Sequence, residues 1–416
     1  MRFDNVIIGG GLAGLICGLK LQKAGRKCAI VSSGQSAMHF FSGSFELLGK
    51  LADGTVVENP IEAIDSLDAC HPYSILGKEK VSALASAAED ILLQSGVSVT
   101  GSCTRNTWRI TPTGERKPAW LKLGDFTALE NKDSKVGNKA LIVNILGFLD
   151  FNTKFLADSF EKQGTECRII AIKLEEMERL RKNPSEMRAS NIARVMDRDD
   201  VRAKAAAKIR EQLKDEDVVI VPAVFGLKNA SAVEDFRQAI GTKTIFIATM
   251  PPSVPGIRTQ MMLKAEFEKL GGRFFMGDTV NNAEYDENGN VASIGTSNFN
   301  DIRLYADNFI LASGSFFSKG LTATPEHIYE PVFNADILCE QERENWFDRD
   351  FWSKQNYISF GVKTDKNMNV FVNGKVVSNL YAAGSILGGC NSLYEGSGGG
   401  VAMITALAAA EAILEK

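Results

Sequence analysis

Residues 2–34 read RFDNVIIGGGLAGLICGLKLQKAGRKCAIVSSG, and their pattern decides the fold. Residues 3–8, FDNVII, form a short apolar run that predicts a buried strand. A tight turn follows at Gly9-Gly10-Gly11-Leu12-Ala13-Gly14. The next run, LICGLKLQKAG, spaces Leu15, Ile16, Leu19 and Leu21 along a helix and stops at Gly25. Lys27 to Val31 predicts a second strand, which completes a βαβ unit of about 30 residues. Within it Gly9-x-Gly11-x-x-Gly14 follows a strand and opens a helix, the context in which this spacing binds a pyrophosphate. Gly9 serves the tight turn, Gly11 lets the backbone approach the phosphates, and Gly14 lets helix and strand pack closely. Backbone N–H groups at the helix start face the anion.

An acid commonly ends the second strand of such a fold and holds the ribose hydroxyls. Here the position reads Val31-Ser32-Ser33-Gly34. Ser32 and Ser33 offer neutral hydroxyls only, which disfavours NAD and the adenosine half of FAD. The far end of the chain supplies the second signal. Gly384 and Ser385 close NLYAAGS (379–385), and Gly388-Gly389 and Gly396-Ser397-Gly398-Gly399-Gly400 precede an apolar helix over 401–416. Free N–H groups at that helix start suit the electron-rich edge of a flavin, where negative charge appears on reduction.

Between these ends the pattern predicts a helix over 78–96 and buried strands over 140–147, 218–226, 244–252 and 307–317. A helix is expected over 259–272, followed by a strand and a hairpin around 287–290. Residues 100–136 read as polar and irregular. Lys173 to Asp217 carries 12 basic and 11 acidic residues, a balance that argues for solvated helices rather than a binding patch. The chain has 416 residues, a net charge of −4 and 37 glycines. A near-neutral balance without a basic stripe argues against nucleic acid as the principal partner. The seven cysteines stand at least eleven residues apart, so zinc-knuckle and iron–sulfur spacings are excluded. The apolar, uncharged stretches 5–19 and 396–410 are each 15 residues long and interrupted by glycine, short of the ~20 that a membrane span needs.

The N-terminal glycine motif, Leu311-Ala312-Ser313-Gly314 and the late NLYAAGS segment together resemble the flavoprotein superfamily of fumarate reductase and glycerol-3-phosphate dehydrogenase. Residues 1–48, HPYSILG (71–77), PPSVPGIR (251–258), LASGSFFSKGL (311–321) and the glycine-rich tail resemble, more narrowly, the B-subunit family of anaerobic glycerol-3-phosphate dehydrogenases. The resemblance implies an α/β fold with a Rossmann-like flavin-binding domain of the GR2 type and an inserted cap or substrate domain. The expected division is 1–105, 256–320 and 356–416 for the flavin, and 106–255 with 321–355 for the insert. The implied cofactor is FMN, with FAD as the alternative. The implied partners are the catalytic, FAD-containing A subunit and the membrane-associated, iron–sulfur C subunit. The implied reaction oxidises sn-glycerol 3-phosphate to dihydroxyacetone phosphate and sends electrons to the quinone pool. The location so implied is cytoplasmic and peripheral on the inner membrane.

Several residues carry two readings. Ser42, Gly43 and Ser44 either donate to the flavin or cap a following helix. His39 is either a proton carrier or a ring packed among Met38, Phe40 and Phe41. Arg258 and Arg194 either recognise a phosphate or carboxylate bidentately or form structural ion pairs. A scaffold protein that has lost tight flavin binding is the competing function. An NAD-dependent dehydrogenase is disfavoured by the missing strand-end acid.

Overall fold

The computed structural model describes residues 1–229, 231–299 and 301–416. In chain order it begins with β1 (Arg2–Ile8), α1 (Leu12–Lys23), β2 (Cys28–Ser32) and α2 (Lys78–Gln94). The middle holds β3 (Lys139–Ile145), β4 (Glu166–Ile172), β5 (Val218–Pro222), β6 (Lys243–Ile247) and α3 (Val254–Lys269). The last part holds β7 (Arg273–Met276), β8 (Leu304–Leu311), β9 (Lys375–Ala382) and α4 (Gly398–Leu414).

Five of these strands pair in parallel in the order β7-β2-β1-β8-β9. Parallel strands are covered on both faces, which is why VII in β1 and AIV in β2 are continuous apolar runs. The first half of β8 also pairs with an antiparallel hairpin, Val280–Tyr285 and Val291–Thr296, while its last residues pair with β9. One face is covered by α1, α2 and α4, which pack on one another. α4 is apolar around its circumference and is buried nearly throughout, as an all-round apolar helix must be.

β3 to β6 form a second sheet, also all parallel, in the order β6-β5-β3-β4. The chain leaves β6 through Thr249-Met250-Pro251-Pro252 and enters α3 directly. Ser253 caps α3 by accepting from the Gly256 amide at 3.1 Å, and Pro255 occupies the first turn, where its missing N–H costs nothing. The expected helix therefore starts five residues earlier than its apolar periodicity suggests. Residues 100–136 are also more ordered than their polarity implies. They contain the hairpin Thr107–Ile110 with Arg116–Ala119, and the strand Leu121–Leu123, around a fully buried Trp120.

Candidate functional site

The registers Ile8↔Val31, Ile8↔Leu311 and Leu311↔Ala382 bring the carboxyl ends of β2, β1, β8 and β9 to one edge. Gly9, Ser32, Ala312 and Ala383 stand side by side there. The three motif glycines have different surroundings. Gly9 has φ +121°, and a Cβ on it would lie 2.1 Å from the Ala312 carbonyl oxygen. A Cβ on Gly14 would lie 1.9 Å from the Gly9 carbonyl oxygen. A Cβ on Gly11 would meet only the Ser36 Cβ, at 3.7 Å. Two glycines are thus required by the protein's own packing, and the third opens onto free space ahead of α1. The first intrahelical bond is Leu15 N–H to the Gly11 carbonyl at 3.0 Å, so the amides before it are the orphan donors of a helix start. An open cradle lined by such amides fits a phosphorylated group.

The two other turns border this cradle. Gly314 has φ +83°, and its Cβ direction points to Ser318 and, at 3.6 Å, to Ser385 Oγ. Ser313 Oγ is buried with no hydrogen-bond partner. Gly384 has φ +80°, and a Cβ there would lie 2.8 Å from the Ala13 Cβ. Its amide donates to Thr405 Oγ1 at 2.9 Å, which ties the turn to α4. Gln260, on α3, donates to the Gly10 carbonyl at 3.1 Å. The sequence reading missed Thr405 and Gln260. The signal available was a polar residue inside an otherwise buried helical stripe.

Ser32 requires a correction. Its side chain is buried beneath Gly10, and its hydroxyl donates to the Gly34 carbonyl at 3.1 Å, so it is turned into the protein. Ser33 is exposed. A carboxylate unseen in the sequence does lie beside this strand end. Asp278 is buried, its amide bonds the Ser32 carbonyl at 3.2 Å, and its Oδ2 has no partner.

Gly398, Gly399 and Gly400 form the first turn of α4 rather than a loop before it. The Gly400 amide donates to the Glu46 carbonyl at 2.8 Å and is not available to a ligand. A Cβ on Gly400 would lie 2.3 Å from the Tyr73 hydroxyl, and one on Gly399 3.1 Å from the Phe45 Cα. These two glycines let the helix start press against Phe45–Leu47. Only Gly398 is exposed. Just before it, Glu395 accepts from the Asn391 amide at 2.9 Å and from Ser397 Oγ at 3.1 Å, and faces His71 Nε2 at 3.3 Å. Burial pushes its carboxyl up, but the bonds from His71, Asn391 and Ser397 outweigh that and hold it below the usual range.

Arg258 also departs from expectation. It is buried, pairs with Asp125, and donates to the Gly226 carbonyl at 2.9 Å. Its guanidinium clamps α3 to the second sheet, and the ligand-binding reading gives way to the structural one. Arg194 is bonded to Asn191 Oδ1 at 2.7 Å on the surface. His39 lies in a short helical turn, Ala37–Phe40, with its carbonyl accepting the Ser253 amide at 2.8 Å. Partial burial lowers its ring pKa, which keeps it neutral at pH 7. Ser44 begins a short strand, Ser44–Phe45, paired with Leu121–Leu123, so no helix follows for it to cap.

The FAD binding domain family model matches residues 4–401. The B subunit of the anaerobic glycerol-3-phosphate dehydrogenase of Pectobacterium atrosepticum is 39% identical over 419 residues, covering 100% of this chain and 99% of the relative. The protein of the same name from Actinobacillus pleuropneumoniae is 39% identical, covering 99% of each chain. Among solved structures, the open conformation of a flavocytochrome c3 fumarate reductase aligns with a TM-score of 0.46 and 10% identity, over 99% of this chain and 79% of that one.

Proposed function

The chain belongs to the FAD binding domain family and, within it, to the B subunits of anaerobic glycerol-3-phosphate dehydrogenases, and on that premise we propose that it is the flavin-carrying member of a heteromeric, quinone-linked dehydrogenase. The proposed overall reaction oxidises sn-glycerol 3-phosphate to dihydroxyacetone phosphate. The catalytic, FAD-containing A subunit and the membrane-associated, iron–sulfur C subunit are the proposed partners. The observation that carries the flavin reading is the opening at Gly11, bordered by the turns at Ser313-Gly314 and Gly384-Ser385.

In this reading the amides of Gly11 to Gly14 hold a phosphate by hydrogen bonds and the helix dipole. Ser313, Gly314, Gly384 and Ser385 border the rest of the cofactor. A bound flavin supplies a two-electron acceptor. His39, neutral at pH 7, is the nearby group able to take a proton. Residues 106–255 and 321–355 form the proposed cap over 1–105, 256–320 and 356–416.

FMN is the proposed cofactor, because Ser32 faces inward and Ser33 is neutral, so the second strand presents no carboxylate to a ribose. FAD is the second reading, favoured by the family's description and by the buried Asp278 carboxylate. Releasing the cofactor from purified protein and chromatographing it against both standards separates the two. Stoichiometric FMN is expected. Stoichiometric FAD would overturn the first reading, and protein that binds the catalytic partner without any flavin would establish the scaffold alternative.

A further inference from the structure

The segment 316–360 carries a small apolar cluster apart from the main core. Ile328, Trp346 and Phe360 are buried in it, with Phe316, Ile337 and Cys339 packed against them. The Trp346 indole N–H donates to the Glu340 carbonyl at 2.8 Å, and the Arg343 guanidinium lies over its ring. On this base stand aromatic rings that face outwards. Phe317, Phe351 and Trp352 are 71, 80 and 88% exposed, and Phe40, Phe347 and Tyr357 are exposed too. Phe40, from the turn after β2, meets Phe317 edge-on at 5.2 Å, and Phe316 meets Tyr357 at 6.3 Å. The Tyr357 amide donates to the Trp346 carbonyl at 2.8 Å, and Phe351 meets Trp352 at 5.1 Å.

At the ~200 Å² that a large ring can bury, these six exposed rings present on the order of 800 Å². Contiguous apolar patches on a monomer rarely exceed a few hundred Å², whereas each side of a standard protein interface buries about 800 Å². Beside Trp346 lies a cleft of about 290 Å³, lined among others by Glu326, His327, Tyr329, Cys339 and Glu340. No lysine or arginine lines it to neutralise Glu326 and Glu340. Exposed aromatic anchors beside a pocket are the anatomy of an interface hot spot. Charge selects the occupant. Glu340, Glu342, Glu344, Asp348 and Asp350 outnumber Arg343, Arg349 and Lys354 over residues 340–354. Anionic lipid attracts basic clusters, so an acidic excess disfavours a membrane surface. A protein face with an apolar centre and a basic side chain complements it.

We propose that Phe40 and the exposed rings of residues 317–357 form the docking face for a partner subunit, which seats a lysine or arginine side chain in the acidic cleft. The inference deepens the functional reading above and rests on it for the identity of the partner, the FAD-containing subunit. Phe40 follows His39, and Phe317 lies three residues beyond Gly314, so the face adjoins the proposed flavin cradle. A partner seated here covers the side of the chain from which electrons are exchanged.

The test measures binding of the full-length flavin-loaded chain to the purified FAD-containing subunit by sedimentation velocity. Trp352→Ser and Phe351→Ser should each weaken it at least tenfold, with Tm and flavin-to-protein ratio unchanged, because both side chains are exposed. Glu340→Lys should weaken it as much, and Glu340→Gln less. Ile302→Ser, 53% exposed just before the amino end of β8, should leave it unchanged. Wild-type affinity in both ring variants would overturn the docking face while leaving the functional reading intact, and wild-type affinity in Glu340→Lys would overturn the seating of a basic side chain. Failure of the wild-type chain to bind the FAD-containing subunit would overturn the functional reading's partner and this proposal with it. Two further controls use the chain alone. Self-association that Trp352→Ser abolishes would assign the face to a second copy and overturn the proposal. Binding to vesicles of about three parts phosphatidylethanolamine to one part phosphatidylglycerol, lost in Trp352→Ser while subunit binding persists, would assign it to the membrane and overturn it likewise.

Discussion

At the scale of single residues, the glycine motif divides into packing and binding. Gly11→Val places its side chain in open space, since only the Ser36 Cβ lies within contact distance. The variant is expected to fold with near-wild-type stability and to lose flavin, read as the absorbance ratio of flavin to protein. Gly14→Val drives a side chain into the Gly9 carbonyl. It is expected to lose at least the ~1–3 kcal/mol of ordinary overpacking, with a lowered Tm. Equal stability losses in the two variants would remove the distinction. Arg258 gives a third residue-scale test. Breaking a buried ion pair by removing one partner costs about 3–5 kcal/mol, because the other charge is left buried. Asp125→Ala should therefore lower stability strongly while leaving the flavin ratio of the remaining folded protein unchanged. A loss of flavin at unchanged stability would return Arg258 to the binding machinery.

At the scale of elements, the N-terminal βαβ unit was legible because its two signals agree. The apolar runs are short enough to be strands, and the glycines fall at the one junction where the chain must turn sharply. The last helix was legible in its apolar body but not in its start. Gly398 to Gly400 have poor helix propensity, yet they lie in the first turn, where the close contact of Gly399 and Gly400 with Phe45–Leu47 leaves no room for larger side chains at those two positions. Residues 100–136 failed for a similar reason. Their strands are short and polar on one side, and the pairing of Ser44–Phe45 with Leu121–Leu123 joins segments about 77 residues apart, which local periodicity does not report. The inward turn of Ser32 was equally hidden, because a serine at a strand end has no sequence mark of its direction. The start of the last helix also carries a pH prediction. The folded chain holds Glu395 below the usual carboxyl range, whereas the unfolded chain has an ordinary value near ~4.3. Its stabilising contribution is complete above that ordinary value. It falls as the pH drops through the window between the two, where the unfolded state binds more protons, and is gone below the folded value. Glu395→Gln should thus be less stable than wild type at neutral pH, and the gap should close as the pH is lowered below about 4. A gap independent of pH would show that the side chain's shape, not its charge, supports the helix start.

At the scale of the molecule, the carboxyl ends of the first sheet's strands carry the proposed flavin cradle, and no cluster of His, Cys, Asp and Glu among the described residues could hold a metal relay. The seven cysteines are dispersed as free thiols, and those at 17, 28 and 390 are buried. No helix among the described residues is long and apolar enough to cross a membrane. The net charge of −4 gives no general attraction to anionic lipid. His39 is the candidate proton acceptor near the glycine cradle, and burial has already lowered its basicity. On the proposed reading, such a chain passes electrons onward through its partner subunits. We therefore expect it to bind flavin alone but to show little reduction of a quinone analogue by sn-glycerol 3-phosphate. Adding the partner that carries the reacting FAD should restore turnover, and His39→Gln should then leave a measurable rate. The measurement is dye reduction by each purified protein and by their mixture, at matched flavin content. Full turnover by this chain alone would place the chemistry within it and make His39 the residue whose substitution must abolish the rate.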